Sequence, residues 1–379
     1  MKKKTFFLLL CCMISLCSSS IAWWSTAHDM IAHIALNKLT PETLKNCDKY
    51  LEKLIIYPGC LQASKNTSTF IEASNWCDII KKYTWKNSEN KRVNSLFHHI
   101  DIITFPDQKI SVKNTIKTIN KLLKSNTDEG KYNSYTSLRS SIKTILKTDS
   151  SLADKAVAFR FILHVVGDMH EPLHNSTIIV YGIDTDGGGK IDLNKTLFIN
   201  VLPPPKDITL RINNFHSLWD SAAGLFLQIP YTFHPVPQTQ AQKTYISDEG
   251  QSIMRSVIKS KSIEKRIKDA DIMNWIIENN MLAAEYISNK KLEYFKNAEA
   301  PESLISVKFK NYKSYINSIQ EISKKQIYLA GCRLANLLNA IFDPQHADKN
   351  YVNSVRKIKE NKKIPILNNL FPNNITFEI

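Results

Sequence analysis

Two histidine–aspartate pairs in this chain share one spacing. His164 and Asp168 lie four residues apart within "HVVGDMHEPLH", and His216 and Asp220 repeat that interval within "NNFHSLWDSA". On a helix, residues four apart share a face, so each pair aims an imidazole and a carboxylate the same way. These are ligand types that Zn²⁺ takes, and such a pair can grip one ion. His174 follows Pro172, where the chain can turn back toward the first pair. A lone histidine on an apolar face is usually a satisfied core residue. Two matched pairs with a third histidine nearby predict a metal site instead.

Two earlier segments add candidates. "EASNWCDIIKK" carries Asp78, and Lys81 three residues later. "SLFHHIDIITF" carries His98, His99 and Asp101 in an apolar run. Spacing alone leaves open whether His98 and Asp101 are ligands or a hydrogen-bonding pair at a helix end. By itself Lys81 reads as a solvated helix lysine.

The N-terminus supplies one more group. "MKKKTFFLLLCCMISLCSSSIAWW" places three lysines before an apolar stretch and small residues, the pattern of a signal peptide cut after Ala22. The apolar run is short for a membrane span. Cleavage would leave the free α-amine of Trp23, five residues before His28, able to chelate a metal together with its own carbonyl. An exported or secreted protein follows, with no stable membrane insertion once the signal is gone.

Helices must position these groups. Glycine is scarce, 10 residues in 379, and 3.6-residue apolar spacing is common, so the fold is predicted to be mainly α. Helices are predicted at 25–39, from Thr40-Pro41 onward, at 68–82, 111–124, 135–147 and 152–169, and through 250–290 and 312–342. The 111–124 helix shows Val112, Ile116, Ile119 and Leu123 on one face. Residues 177–212 are rich in Gly and Pro and read as a long loop or small β-hairpin insert. No repeat and no clean linker is visible. The expected organisation is a signal at 1–22, one multi-helix domain at 23–342, and a polar, weakly ordered tail at 343–379.

Composition adds weaker constraints. The formal charge of +15 falls to +12 if Lys2, Lys3 and Lys4 leave with the signal. A basic balance suits a polyanion, or reflects a chain rich in Lys, Asn and Ile throughout. Cys47, Cys60, Cys77 and Cys332 would remain, an even number that suggests two disulfides in an exported protein. Sequons at Asn66, Asn175, Asn194 and Asn374 matter only in a eukaryotic secretory pathway.

Taken in order, "WWSTAH", "NWCDIIK", "HHID", "FILHVVGDMHEPLH", "DGGGKI", "NNFHSLWD" and "AGCRLANLLN" run from Trp23 to about Asn339. This series resembles the class I single-strand-specific zinc nucleases (the S-one/P-one type), related to zinc phospholipase C. The resemblance implies a helical body of that superfamily holding three Zn²⁺. It implies one ion on Asp78, His98, His164 and Asp168. A second would take the Trp23 amine and carbonyl, His28 and a bridging Asp168. A third would take His174, His216 and Asp220. His33, His170, His234 and His346 fall outside the pattern and are expected on the surface or behind the ligands.

The implied activity is hydrolysis of single-stranded DNA and RNA, and of 3′-nucleotides, to 5′-phosphorylated products by a zinc-activated hydroxide. Asp78 would orient the nucleophile and Lys81 offset phosphoryl charge. His99, Asp101, Gly187, Gly189 and Lys190 would contact the substrate. Two departures stand out. His99 occupies a position that is usually aromatic, and Gly187-Gly188-Gly189 replaces Gly-Gly-Asn, so the amide that would meet the base is absent. The expected protein is a monomer. Competing readings are a zinc phospholipase C and a non-catalytic secreted zinc-binding protein. The Trp23–His28 spacing and Asp220, where the phospholipase type carries Glu, favour the nuclease.

Overall fold

Capping side chains mark many of the helix starts. Thr40, Ser111, Asn133 and Ser151 each accept a backbone N–H from the first turn of the helix that follows. The computed structural model describes residues 23–55, 60–81, 95–200, 209–229, 237–257, 260–296 and 305–367. The signal segment, His234, Asn374, part of the insert and the end of the tail lie outside them.

Among the described residues the helices begin with α1 (Ser25–Leu36), α2 (Pro41–Leu51), α3 (Cys60–Asn66), α4 (Phe70–Ala73) and α5 (Trp76–Ile80). Next come α6 (Val112–Lys124), α7 (Asp128–Lys131), α8 (Ser134–Leu146), α9 (Leu152–Asp168) and α10 (Phe215–Asp220). The series closes with α11 (Gln240–Ser256), α12 (Lys261–Ile267), α13 (Ile272–Ile287), α14 (Tyr312–Phe342) and α15 (Lys349–Glu360). The strands are β1 (Ile103–Thr104), β2 (Thr177–Val180), β3 (Ile183–Asp184), β4 (Ile191–Asn200), β5 (Thr209–Asn214), β6 (Leu292–Lys296) and β7 (Ile305–Phe309).

Helix α9 is the central post. Every residue from Ala156 to Asp168 is buried, and the helix packs on α8, α14, α2, α1 and α5. A helix apolar on all sides belongs inside a body, not on its surface. Helix α1 is buried almost as fully, with only Leu36 partly exposed. It lies against α14 at Gly331, where an added Cβ would sit 2.6 Å from Ile34 Cγ2 and 3.0 Å from the Ile31 carbonyl. That glycine sets how closely the two helices approach.

The strands form a second layer beside the helices. One sheet runs β1-β2-β3 and the other β5-β4-β7-β6. The β2–β3 hairpin turns at Tyr181 and Gly182, whose φ values of 51° and 78° give the left-handed turn that matches strand twist. Strand β4 pairs in parallel with β7, tying the insert to residues far along the chain. A separate apolar cluster of Leu173, Ile178, Ile191, Ile212, Phe215 and Trp219 lies here and seats α10.

Several expectations need correction. Residues 343–379 are not simply a loose polar tail, because 349–360 form α15. Tyr351, Val355 and Ile358 bury one stripe of it against α14 and α8 while lysines take the other face. Helix 68–82 is broken at Ser74-Asn75 into α4 and α5. On α6 the buried positions are Thr115 and Ile119, whereas Val112 and Ile116 are exposed. The insert is more than a loop or a lone hairpin, since its strands join two sheets. Cys47, Cys60, Cys77 and Cys332 are four buried thiols, not two disulfides. They lie on α2, α3, α5 and α14 as small apolar core residues. Asn175 is fully buried and donates to the Met169 and Glu171 carbonyls, so that sequon offers no acceptor.

His170 and His33 are buried and His346 is exposed. His170 closes the end of α9: Nδ1 donates to the Val166 carbonyl at 2.7 Å, leaving Nε2 to accept from Arg333 at 3.0 Å. Arg333 also bonds Glu278, so a fully buried cation braces α9 against α13 and α14.

Gly331→Ala tests the α1–α14 contact. Overpacking costs about 1–3 kcal/mol, and the gain in helix propensity of about 1 kcal/mol does not cancel contacts this short. A urea titration should show a net loss of stability, and Ile34→Ala in the same chain should relieve part of it. Additive effects of the two changes would contradict the contact.

Candidate metal centre

The last turn of α9 carries His164 and Asp168, and their predicted shared face is present: His164 Nε2 lies 3.1 Å from Asp168 Oδ2. Helix α1 adds His28 from one side, with Nε2 3.3 Å from Asp168 Oδ1. The short helix α5 adds Asp78, whose Oδ1 is 3.6 Å from His164 Nε2. A single turn at Leu96–His98 adds His98, with Nδ1 2.9 Å from Asp168 Oδ2. Asp168 therefore turns its two oxygens toward different imidazoles, one toward His28 and one toward His98 and His164.

A third group stands beside these. His174 Nε2 is 3.5 Å from Asp220 Oδ1, and His216 Nε2 is 3.3 Å from Asp220 Oδ2. Pro172 opens the turn that swings His174 into place. Helix α10 supplies the other two, capped by Asn214. His174 Nδ1 is also 3.8 Å from Asp168 Oδ1, which links this group to the first two.

In each of three trios, one ligand atom per residue lies within 4.8 Å of the other two: His28, His164 and Asp168; Asp78, His98 and His164; His174, His216 and Asp220. The fit to a cation rests on what these atoms lack. Asp78 Oδ2, both oxygens of Asp220, Asp168 Oδ1, both His28 nitrogens, and Nε2 of His174 and His216 are buried without a hydrogen bond. Buried polar atoms are normally satisfied. So many unsatisfied atoms converging at one place suit Zn²⁺, which takes nitrogen and carboxylate oxygen together.

Backbone carbonyls orient the rings. His164 Nδ1 donates to the Ser74 carbonyl at 2.6 Å, His216 Nδ1 to Gly187 at 2.9 Å and His174 Nδ1 to His98 at 3.2 Å. For His174 and His216 the bond leaves Nε2 as the lone-pair nitrogen facing Asp220, the arrangement that ligating histidines use, while His164 Nε2 faces Asp78 and Asp168. Glu171, buried, accepts the His174 backbone N–H at 2.6 Å and holds that turn.

Electrostatics follow the same map. Burial opposes ionising Asp168, but the adjacent His164 outweighs it and keeps the carboxyl well below its usual range. Asp78 is likewise held low against burial, chiefly by Lys81, whose Nζ is 3.0 Å from Oδ1. Burial and the Lys81 charge push His98 down to about 3, and burial lowers His216 to about 4. Burial also lowers His28 and His174. These four rings are held neutral, the form that binds metal. His164 differs: despite burial, Asp168 and Asp78 raise it to about 10, so it carries the charge that a bound cation would replace.

The rim is less constrained. His99 and Asp101 are half-buried and pair with each other, Nδ1 to Oδ1 at 3.2 Å. Burial works against a charge on His99, but Asp101 outweighs it and raises the ring. Gly187 lies against His216, where an added Cβ would meet Nδ1 at 3.1 Å. It shapes the centre as well as the rim. Gly189 is half-buried and Lys190 exposed. Trp23 is fully buried, and Trp24 N–H donates to the Asp220 carbonyl at 3.0 Å, so the start of the described chain runs beside the third group.

Spacing rules missed three contributors. Ser74 and Glu171 act through hydrogen bonds with no motif signature. Gly167, between His164 and Asp168, leaves room for His28: a Cβ there would sit 2.8 Å from its Nδ1. A glycine inside an apolar helix was the one available signal, since glycine costs helix stability unless something must approach closely. Gly167→Ala should therefore keep the helix and displace the His28 ring. The expected result is metal affinity about 10–100-fold weaker with an ordinary melting curve. Unchanged metal content would show that His28 has room to spare.

Comparison with known proteins agrees with this geometry. The S1/P1 Nuclease family profile matches residues 23–343. Nuclease S1 of Aspergillus oryzae (strain ATCC 42149 / RIB 40) is 20% identical over 336 residues, covering 86% of this chain and 94% of that protein. The chain belongs to the S1/P1 nuclease family.

Proposed function

We propose that the protein is an exported zinc-dependent nuclease that cuts single-stranded DNA and RNA, and 3′-nucleotides, leaving 5′-phosphates. The observation that carries this reading is the convergence of three His/Asp groups, in which Asp220, Asp168 Oδ1, both His28 nitrogens and Nε2 of His174 and His216 are buried without a hydrogen bond, within a nuclease family. Three Zn²⁺ are proposed: one on Asp78, His98, His164 and Asp168, one on Trp23, His28 and Asp168, and one on His174, His216 and Asp220. Bound zinc supplies Lewis acidity and a water acidic enough to ionise near neutral pH.

The chain's own groups do the rest. Asp78 stays ionised beside Lys81 and can accept a hydrogen bond from the attacking water, aligning it with phosphorus. The Lys81 ammonium stands where charge on the phosphoryl oxygens would build, a position from which it favours the transition state. Water oxygen bonds to phosphorus, the bond to the 3′ oxygen breaks, and that oxygen takes up a proton. His99 and Asp101 stand at the rim as contacts for a base that has left its stack, which favours single strands. Gly189 and Lys190 are proposed to meet the neighbouring phosphate, a role that the exposure of Lys190 supports. No described helix is long and apolar enough to cross a membrane. The lysine-led apolar N-terminus supports export, with action as a monomer.

Hydrolysis of single-stranded DNA, duplex DNA and phosphatidylcholine by the zinc-loaded protein tests this. The single strand should be cut fastest and its fragments carry 5′-phosphate; cleavage of lipid alone would falsify the proposal. Asp78→Ala should lower kcat about 10²–10⁴-fold, and Lys81→Ala about 10²–10³-fold. Retained activity in both would put the site elsewhere.

N-terminal sequencing and metal analysis of the secreted protein should give a start at Trp23 and about three zincs per chain. A start at Trp24, or a retained signal, would remove the terminal chelate.

A further inference from the structure

We propose that the cleft between α8, α12 and α15 is a second binding site for the substrate strand, holding single-stranded polynucleotide by its phosphates and one stacked base. This inference rests on the nuclease reading above. The cleft encloses about 1050 Å³ and lies on elements that carry none of the metal-centre residues. Lys261, Lys265 and Lys268 line it from α12 and its C-terminal cap, at intervals that put them on one stripe. Arg139 of α8 and Lys357 of α15 line it as well.

The charge there is available to a ligand. The four lysines are exposed, and none of these five cations forms an ion pair among the described residues. Three acids also border the cleft, Glu264, Asp269 and Asp271. Two of them are engaged locally. Asp271 accepts the Met273 N–H as the cap of α13, and Asp269 accepts from the Asp271 N–H and the Asn274 amide. Glu264, three residues after Lys261 and four before Lys268, offsets part of the repulsion among the three lysines, and a polyanion would relieve the rest. Helix α12 packs on the core through half-buried Ile263 and Ile267, and its three lysines stand at exposed positions that this contact does not use. A polyanion neutralises all five cations at once.

Tyr135 makes the site suit a strand with bases. Its half-buried ring lies under the Arg139 guanidinium, 4.7 Å from charge to ring centre. A tyrosine and an arginine plane together form a stacking platform that accepts any base. The preceding residue ties this platform to the rim of the metal centre. Ser134 N–H donates to the His99 carbonyl at 3.0 Å. The first turn of α8 is thus joined to His99 through the backbone, and the proposed strand runs from a base at His99 past Tyr135 to the lysines.

The test uses the zinc-loaded protein and the triple variant Lys261→Glu, Lys265→Glu, Lys268→Glu. All three positions are exposed, so folding should persist. On an oligothymidylate of roughly 20 nucleotides, longer than a single-strand site, KM should rise about tenfold with kcat unchanged. Hydrolysis of a thymidine dinucleotide should not change. The slope of log Kd against log salt should fall by about 2. Tyr135→Ala should weaken the long strand without altering that slope. An unchanged KM, an equal loss on both substrates, or binding of phosphatidylserine vesicles in place of the strand would overturn the proposal. Anisotropy with a labelled phosphorothioate strand separates the two readings. Binding lost in the lysine variant while the parent hydrolyses nothing would sink the nuclease and leave the cleft.

Discussion

The rest of the structure depends on the buried carboxylate of Asp168. It is fully excluded from solvent, and each oxygen faces a different imidazole set. An uncompensated buried charge costs several kcal/mol, so every element that brings a histidine to it is under constraint. Helix α1 must bring His28, the Leu96–His98 turn must bring His98, and α9 must keep His164 on its own face. That is why α1 and α9 are buried nearly throughout and why glycines sit at their contacts. Gly331 lets α1 close on α14, and Gly167 gives the His28 ring its space. Small residues at these two points are a condition of the chemistry.

Apparent irregularities in the fold serve the same end. The break at Ser74-Asn75 interrupts what would be one helix, and the Ser74 carbonyl takes the His164 N–H. The turn at Asp186–Gly189, with positive φ at Asp186, Gly187 and Gly188, presents the Gly187 carbonyl to His216. The single turn at Leu96–His98 presents its last carbonyl to His174. In each place backbone that would otherwise bond within an element fixes a ring's orientation. Behind them, Arg333 and His170 tie the end of α9 to α13 and α14, so the post holding Asp168 does not fray.

Much of this was legible from residue spacing, and the limit has a physical reason. The His164–Asp168 and His216–Asp220 faces follow from helical period alone, and the caps at Thr40 and Ser111 follow from local chemistry. What sequence could not show was distance across the fold. The β4–β7 pairing joins residues more than a hundred positions apart, with no periodic signal. Helix α15 was missed because its four cations, Lys349, Arg356, Lys357 and Lys359, outnumber its three buried apolar residues, Tyr351, Val355 and Ile358. The cysteines misled because evenness was read as pairing, whereas four thiols on four helices fill the core as apolar groups. Gly167 and Glu171 act only through neighbours that folding supplies.

The centre and its rim are held by different forces, so they can change independently. Centre residues are buried, oriented by backbone and linked through Asp168, so altering one disturbs several others. At the rim, His99 and Asp101 answer chiefly to each other, and Lys190 is exposed. A substitution there removes a local pair and leaves the carboxylate cluster intact. That separation leaves the rim free to vary while the centre stays intact. It also explains why the position after His98 can hold an imidazole: the constraint on His98 comes from Asp168 beneath it, not from the residue that follows.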